Sequence, residues 1–296
     1  MCLGYFQGTV RIKYREKNMD YIIDVVIPIL KHHVCDQYIT EKILKKAVWY
    51  GISTQSYIQR TDLFDGTWLC SSTSDDYIML LLQDVFNANE INVYDKVADC
   101  NSSVRMLREN SIKDNCIYIA KDKTSLFTSF GEKIRNAMAH GSINRYDEYF
   151  YLLNQYKPKP DAGVSFLLQT QYDINTKMTE LWDAFKMATE QENAFKYRCL
   201  NRILQLKKVG KYCYSELYKC YVIVDDDFRY TTKSRVDDIN ALIIKYNSIN
   251  ASAVVIISEN LGSISAKNLT SKDGKVRVIA QSKIIEYFNV PGVNQI

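Results

Sequence analysis

Residues 135 to 142 read RNAMAHGS, and they gather side-chain types suited to moving protons beside a phosphate. Arg135 and His140 are five positions apart, with Asn136 next to the arginine and Gly141 directly after the histidine. The chain has three histidines in 296 residues, and His140 is the one outside the adjacent pair His32 and His33. Imidazole titrates near neutrality and can carry a proton in either direction. Guanidinium stays charged and grips phosphate oxygens in a two-pronged fork. The pairing suits phosphodiester chemistry. The same residues also suit a plain helix end, with Arg135 paired to Glu132 or Asp147 and His140 bonding a terminal carbonyl.

These residues need a helix to align them. Phe127, Phe130, Ile134 and Met138 recur at steps of three, four and four, which predicts one apolar helical face within residues 121 to 140. On that helix Asn136 and His140 share a face, and Arg135 lies about 100° round from Asn136. Gly141 fits the left-handed residue that ends many helices. His140 then sits at a helix C-terminus, where the dipole favours its protonated form. Thr124 or Ser125 is the expected cap. Lys121, Lys123 and Lys133 are candidate phosphate contacts.

The string IRNAMAHG resembles the signature of the HEPN superfamily: an arginine, a polar residue, variable residues, then a histidine. Some toxin members carry a tyrosine two positions after the histidine, where this chain has Ser142. The resemblance implies an α-helical bundle over roughly residues 20 to 205 and an endoribonuclease that needs no metal or other cofactor. It implies that His140 acts as general acid or base and that Arg135 holds the scissile phosphate. Asn136 would orient one of them. The RNA supplies its own 2′-hydroxyl as nucleophile, leaving a 2′,3′-cyclic phosphate and a 5′-hydroxyl. The family's members typically form homodimers in which two motifs meet in one cleft. Many act in bacterial defence or as toxins, with an antitoxin or defence-system partner. Members without activity serve as scaffolds.

Helical apolar spacing is widespread in the first 200 residues. It appears in DYIIDVVIPILKHH, TEKILKKAVWYGIS and SDDYIMLLLQDVFNANEI, the last with Ser74 or Asp75 as cap. It returns in the long stretch from Asp173 to Leu206, and YKPKPDAG breaks regular structure between. After residue 207 the pattern changes. CYVIVDDD, ASAVVIIS and KVRVIAQ read as strands, while VDDINALIIKYNS and SKIIEYF read as helices. The expectation is a mainly α chain: a HEPN-like helical bundle over 1–207, then a small α/β domain over 208–296. The order of elements in that second domain is loosely similar to restriction-endonuclease-like folds. Their acid followed by E-x-K is missing, because Val224–Asp227 ends in acids without it and ELYK at Glu216 has one residue too many.

Composition narrows the classes. The net charge of +4 resides after residue 206, where 13 Lys/Arg face 9 Asp/Glu. That suits a polyanion partner without the strong excess of a dedicated nucleic-acid binder. The eight cysteines show no C-x-x-C spacing, so neither a zinc module nor a disulfide framework is expected. His32, His33 and Cys35 lack a second half. YIIDVVIPIL is too short to span a membrane, and the N-terminus has no signal-peptide pattern, so the expected location is cytoplasmic.

Overall fold

The computed structural model describes residues 73–107, 115–121, 125–139, 143–146, 149–155, 163–171, 191–225, 236–258 and 266–295, with single positions between 177 and 188 and at 261 and 264. They form two compact units. One comprises Leu82–Lys186 with Gly292–Ile296, and the other Thr73–Leu81 with Met187–Pro291. Helix α1 (Asp75–Phe86) contributes residues to both. Its start is the predicted one: Ser74 Oγ accepts the Asp76 N–H at 3.3 Å, and Asp75 and Asp76 suit the positive end of the helix.

The first unit is built on a six-stranded sheet. In chain order its elements are β1 (Glu90–Tyr94), α2 (Val97–Met106), β2 (Cys116–Ala120), α3 (Leu126–Ala139), β3 (Ile143–Tyr146), β4 (Tyr149–Gln155) and β5 (Val164–Thr170). The strand order is β11-β1-β2-β5-β4-β3, where β11 is the late strand Val293–Gln295. Strands β11, β1 and β2 run parallel, and β2, β5, β4 and β3 alternate in direction. A parallel β1–β2 pair needs a crossover, and α2 supplies it. Cys100 and Val104 of α2 pack on Tyr94, Cys116, Tyr118 and Leu167. Strand side chains alternate, so Phe166 falls on the opposite face, where it meets Phe130 of α3 edge-on at 5.7 Å. Gly292 lets β11 dock. Its carbonyl accepts the Ile91 N–H at 2.7 Å, its φ is +74°, and a Cβ there would collide with the Asn89 carbonyl.

The second unit carries a five-stranded sheet in the order β10-β9-β8-β7-β6. Helix α4 (Glu192–Leu204) leads into β6 (Leu206–Val209), β7 (Tyr212–Ser215) and β8 (Cys220–Asp225), which form an antiparallel meander. Helix α5 (Val236–Asn247) then crosses to β9 (Val254–Ser258), which is parallel to β8, and β10 (Val276–Ala280) is parallel to β9. A short helix, α6 (Ile284–Tyr287), follows. Ile239, Leu242, Ile243 and Tyr246 of α5 cover Ile223, Ile256 and Val278 on one face. Toward the other face, α4 buries Phe195, Cys199, Leu200 and Leu204, and Tyr197 Oη accepts the Val224 N–H at 3.0 Å.

The expectation of a mainly α chain with a HEPN-like helical bundle is therefore wrong. Five strands lie between residues 90 and 170, where the bundle was placed. CIYIA and VSFLLQT are buried along their whole length, so they lack the two-residue alternation that reveals a half-buried strand. In SDDYIMLLLQDVFNANEI the helix stops at Phe86, and Glu90 and Ile91 already belong to β1. Helix α4, assigned from sequence to the first domain, groups with the five-stranded sheet.

Candidate functional site

The motif rests on α3, a 14-residue helix. Lys121 fixes the approach to it: its N–H donates to the Tyr94 carbonyl at 2.7 Å, and its own carbonyl accepts the Ser129 hydroxyl at 2.6 Å. Leu126, Phe127, Phe130, Ile134 and Ala137 are buried, which defines the face turned to the sheet. Arg135 and Asn136 are consecutive backbone positions of the helix, four and three residues before its last residue, Ala139. Their side chains, and His140 and Lys123 entirely, lie outside the described residues. Of the expected phosphate contacts, Lys121 is half-buried. Lys133 is only 3% exposed, and a polyanion cannot reach it without opening the fold, so it is dropped as an RNA contact. His32 and His33 lie outside the described residues.

The second acidic candidate resolves into two different environments. Glu216 stands in the turn after β7, half-exposed. It is shared between Lys207 at 3.3 Å and Lys219 at 3.4 Å, and the Lys207 hydrogen bond does most to hold its carboxyl below the usual range. Asp225 ends β8 and is 4% exposed. Its Oδ2 accepts the Tyr246 hydroxyl at 2.8 Å and faces Lys245 Nζ at 3.4 Å. Burial, then the bond to Asp225, pushes the Tyr246 phenol above its ordinary value. Asp226 and Asp227 lie outside the described residues. Among the described residues no group of three or more His, Cys, Asp or Glu is arranged to hold a metal ion.

Sequence reasoning missed what faces Asp225. Strand register places Ser258, the last residue of β9, directly beside it, on strands about 4.8 Å apart. Ser258 is 1% exposed. Among the described residues, neither Asp225 Oδ1 nor Ser258 Oγ has a hydrogen-bond partner. Unpaired buried polar atoms are uncommon, because each costs about 1–3 kcal/mol of lost hydration. The pair lies at the carboxyl ends of parallel strands, where open α/β sheets present their ligand crevices. The available signal was the polar residue closing each apolar run, VIVD and VVIIS.

No family model matches the chain, and neither a curated protein nor a solved structure resembles it closely enough to count as a match.

Proposed function

We propose that the chain is an endoribonuclease that cleaves RNA through 2′-hydroxyl attack without a metal ion. Arg135, Asn136 and His140 carry the reaction on an α/β scaffold in place of a helical bundle. The observation that carries this reading is the RNAMAHG string, whose residues Arg135 to Ala139 close α3, a helix whose buried face anchors it to a sheet. His140 moves the proton, Arg135 neutralises charge on the phosphate, and Asn136 orients one of them. In-line cleavage uses an acid and a base together, and one motif offers one histidine. Two copies of the chain meeting about a two-fold axis supply the second.

The test is RNA cleavage by purified protein in EDTA, comparing wild type with His140→Ala. Cleavage by wild type alone, giving cyclic-phosphate ends, supports the reading. Equal activity in both, or a strict need for a divalent ion, overturns it. Mixed dimers of wild type and His140→Ala report whether both histidines act. A second reading, a non-catalytic scaffold, is favoured by the mixed sheet that carries α3, because the resemblance implied a bundle. A scaffold keeps its cellular effect after His140→Ala.

A further inference from the structure

The face of the five-stranded sheet that α5 covers over β8 to β10 continues onto β7 and β6 as a platform of tyrosines. Register pairs Tyr214 of β7 with Tyr221 of β8, and their ring centroids are 5.2 Å apart. Tyr212 meets Tyr221 at 6.3 Å and Tyr246 of α5 at 6.2 Å, both edge-on. Tyr246 is buried, whereas Tyr212, Tyr214 and Tyr221 are half-exposed. These rings are rigid, flat and partly wet.

Cations ring the platform. Lys207 of edge strand β6 pairs in register with Tyr214, which puts both on one face, and its side chain is 69% exposed. Lys211 Nζ is 5.0 Å from the Tyr212 ring centroid, and Lys245 Nζ, on a side chain 56% exposed, is 4.8 Å from that of Tyr246. Residues 206 to 221 hold four lysines against the single acid Glu216. Glu216 pairs with Lys207 at the surface, a weak arrangement that a phosphate can displace. An edge strand of lysines also discourages sheet-to-sheet association, but that role places no demand on the tyrosines beside it.

We infer that this face binds single-stranded RNA, with bases stacked on Tyr212 and Tyr214 and phosphates held by Lys207, Lys211 and Lys245. Stacking needs bases that are not already stacked in a duplex, and lysines at the margin track the backbone. The choice of RNA over DNA rests on the cleavage reading. The platform itself does not, so the assay measures binding alone.

The experiment uses the full-length His140→Ala protein and a fluorescent, unstructured RNA of about 12 nucleotides, a length within the range such surfaces cover. Anisotropy gives Kd across a salt series. Three phosphate contacts predict a slope of log affinity against log salt of about −2. Tyr214→Ala weakens binding about tenfold, Tyr214→Phe keeps it, and the double change Lys207→Ala with Lys211→Ala brings the slope to about −0.7. Thermal unfolding verifies that each variant is folded. The two lysines are exposed, so their variants remain informative if Tyr214→Ala fails to fold. Duplex RNA bound as tightly as the single strand, tighter binding of the same sequence as DNA, an unaffected Kd in folded Tyr214→Ala, or a slope indifferent to the lysines overturns the inference. A wild-type protein that binds the single strand but does not cleave it counts against the catalytic reading only.

Discussion

Gly163, at the threshold of β5, offers a direct test of the sheet in the first unit. The residue after it, Val164, is fully buried and donates its backbone N–H to Asn101 Oδ1 of α2 at 3.0 Å. A methyl group added at Gly163 would fall inside the Asn101 side chain and lie 2.7 Å from that same oxygen. Gly163→Ala therefore forces Asn101 aside and leaves the Val164 N–H without its acceptor. The lost bond costs about 1–3 kcal/mol. Displacing a packed side chain adds about 1–3 kcal/mol. The total, about 2–6 kcal/mol, lowers the melting temperature by roughly 4–24 °C in a chain of this size. Asn101→Ala alone loses only the bond. In the double variant the new methyl enters space that Asn101 has vacated, so Gly163→Ala adds less than about 0.5 kcal/mol there. The double-mutant cycle read by urea unfolding should give a coupling of about 1.5–6 kcal/mol, the cost of Gly163→Ala alone less its cost in the Asn101→Ala background. Additivity within about 0.5 kcal/mol would mean that residues 101 and 163 do not meet. The α2–β5 packing described for the first unit would then fail.

Four further outcomes follow from the geometry. Burial raises the carboxyl pKa of Asp76 above 3.8, although Ile285 N–H donates to it at 3.0 Å, so its contribution to stability is greatest below the ordinary carboxyl value and is lost as pH rises through the raised one. Asp76→Asn should flatten that decline in melting scans from about pH 3 to 6, and unchanged slopes would refute it. Asp225→Asn keeps the acceptor for Tyr246 and should alter stability by less than about 1 kcal/mol, whereas Asp225→Leu strands that hydroxyl and costs about 1–3 kcal/mol in urea unfolding. An Asn cost equal to the Leu cost would show that the charge itself is required. Glu216→Ala and Asp226→Ala should leave RNA cleavage within a few-fold of wild type, and a complete loss with either would move the chemistry to the second unit. Burial pushes the Cys220 thiol up to about 11, so mass spectrometry should find it unalkylated by iodoacetamide at about pH 8 until the protein is unfolded.

Much of the second unit was legible in the chain. The strands at CYVIVD, VVIIS and VRVIA and the helices at VDDINALIIKYN and IIEY appear where β-branched runs and helical spacing placed them. Helix α3 was legible too, because Phe127, Phe130 and Ile134 mark a face that one helix must bury whatever covers it. The structure begins the helix at Leu126, directly after Ser125, one of the two expected caps, and Lys121 ties the preceding chain to β1. These elements carry their signal locally, in spacing that a single helix or a single strand imposes.

The sheet of the first unit carried no such signal. Strand β2 is apolar on both faces, β1 and β5 bury polar Asn92, Ser165 and Gln169 among apolar residues, and a short buried run is compatible with a helix or a strand until its partners are known. Those partners are distant in sequence: β1 pairs with β11 some 200 residues later, and β2 pairs with β5 across α3, β3 and β4. The juxtaposition of Asp225 with Ser258, and of Lys207 with the tyrosines, arises in the same way from strand register. Residue types alone determined that an arginine, an asparagine and a histidine stand within six residues of one another beside an apolar helical face. Only tertiary structure decided that this helix lies on a mixed sheet, because hydrogen bonding between distant strands follows from packing the whole chain.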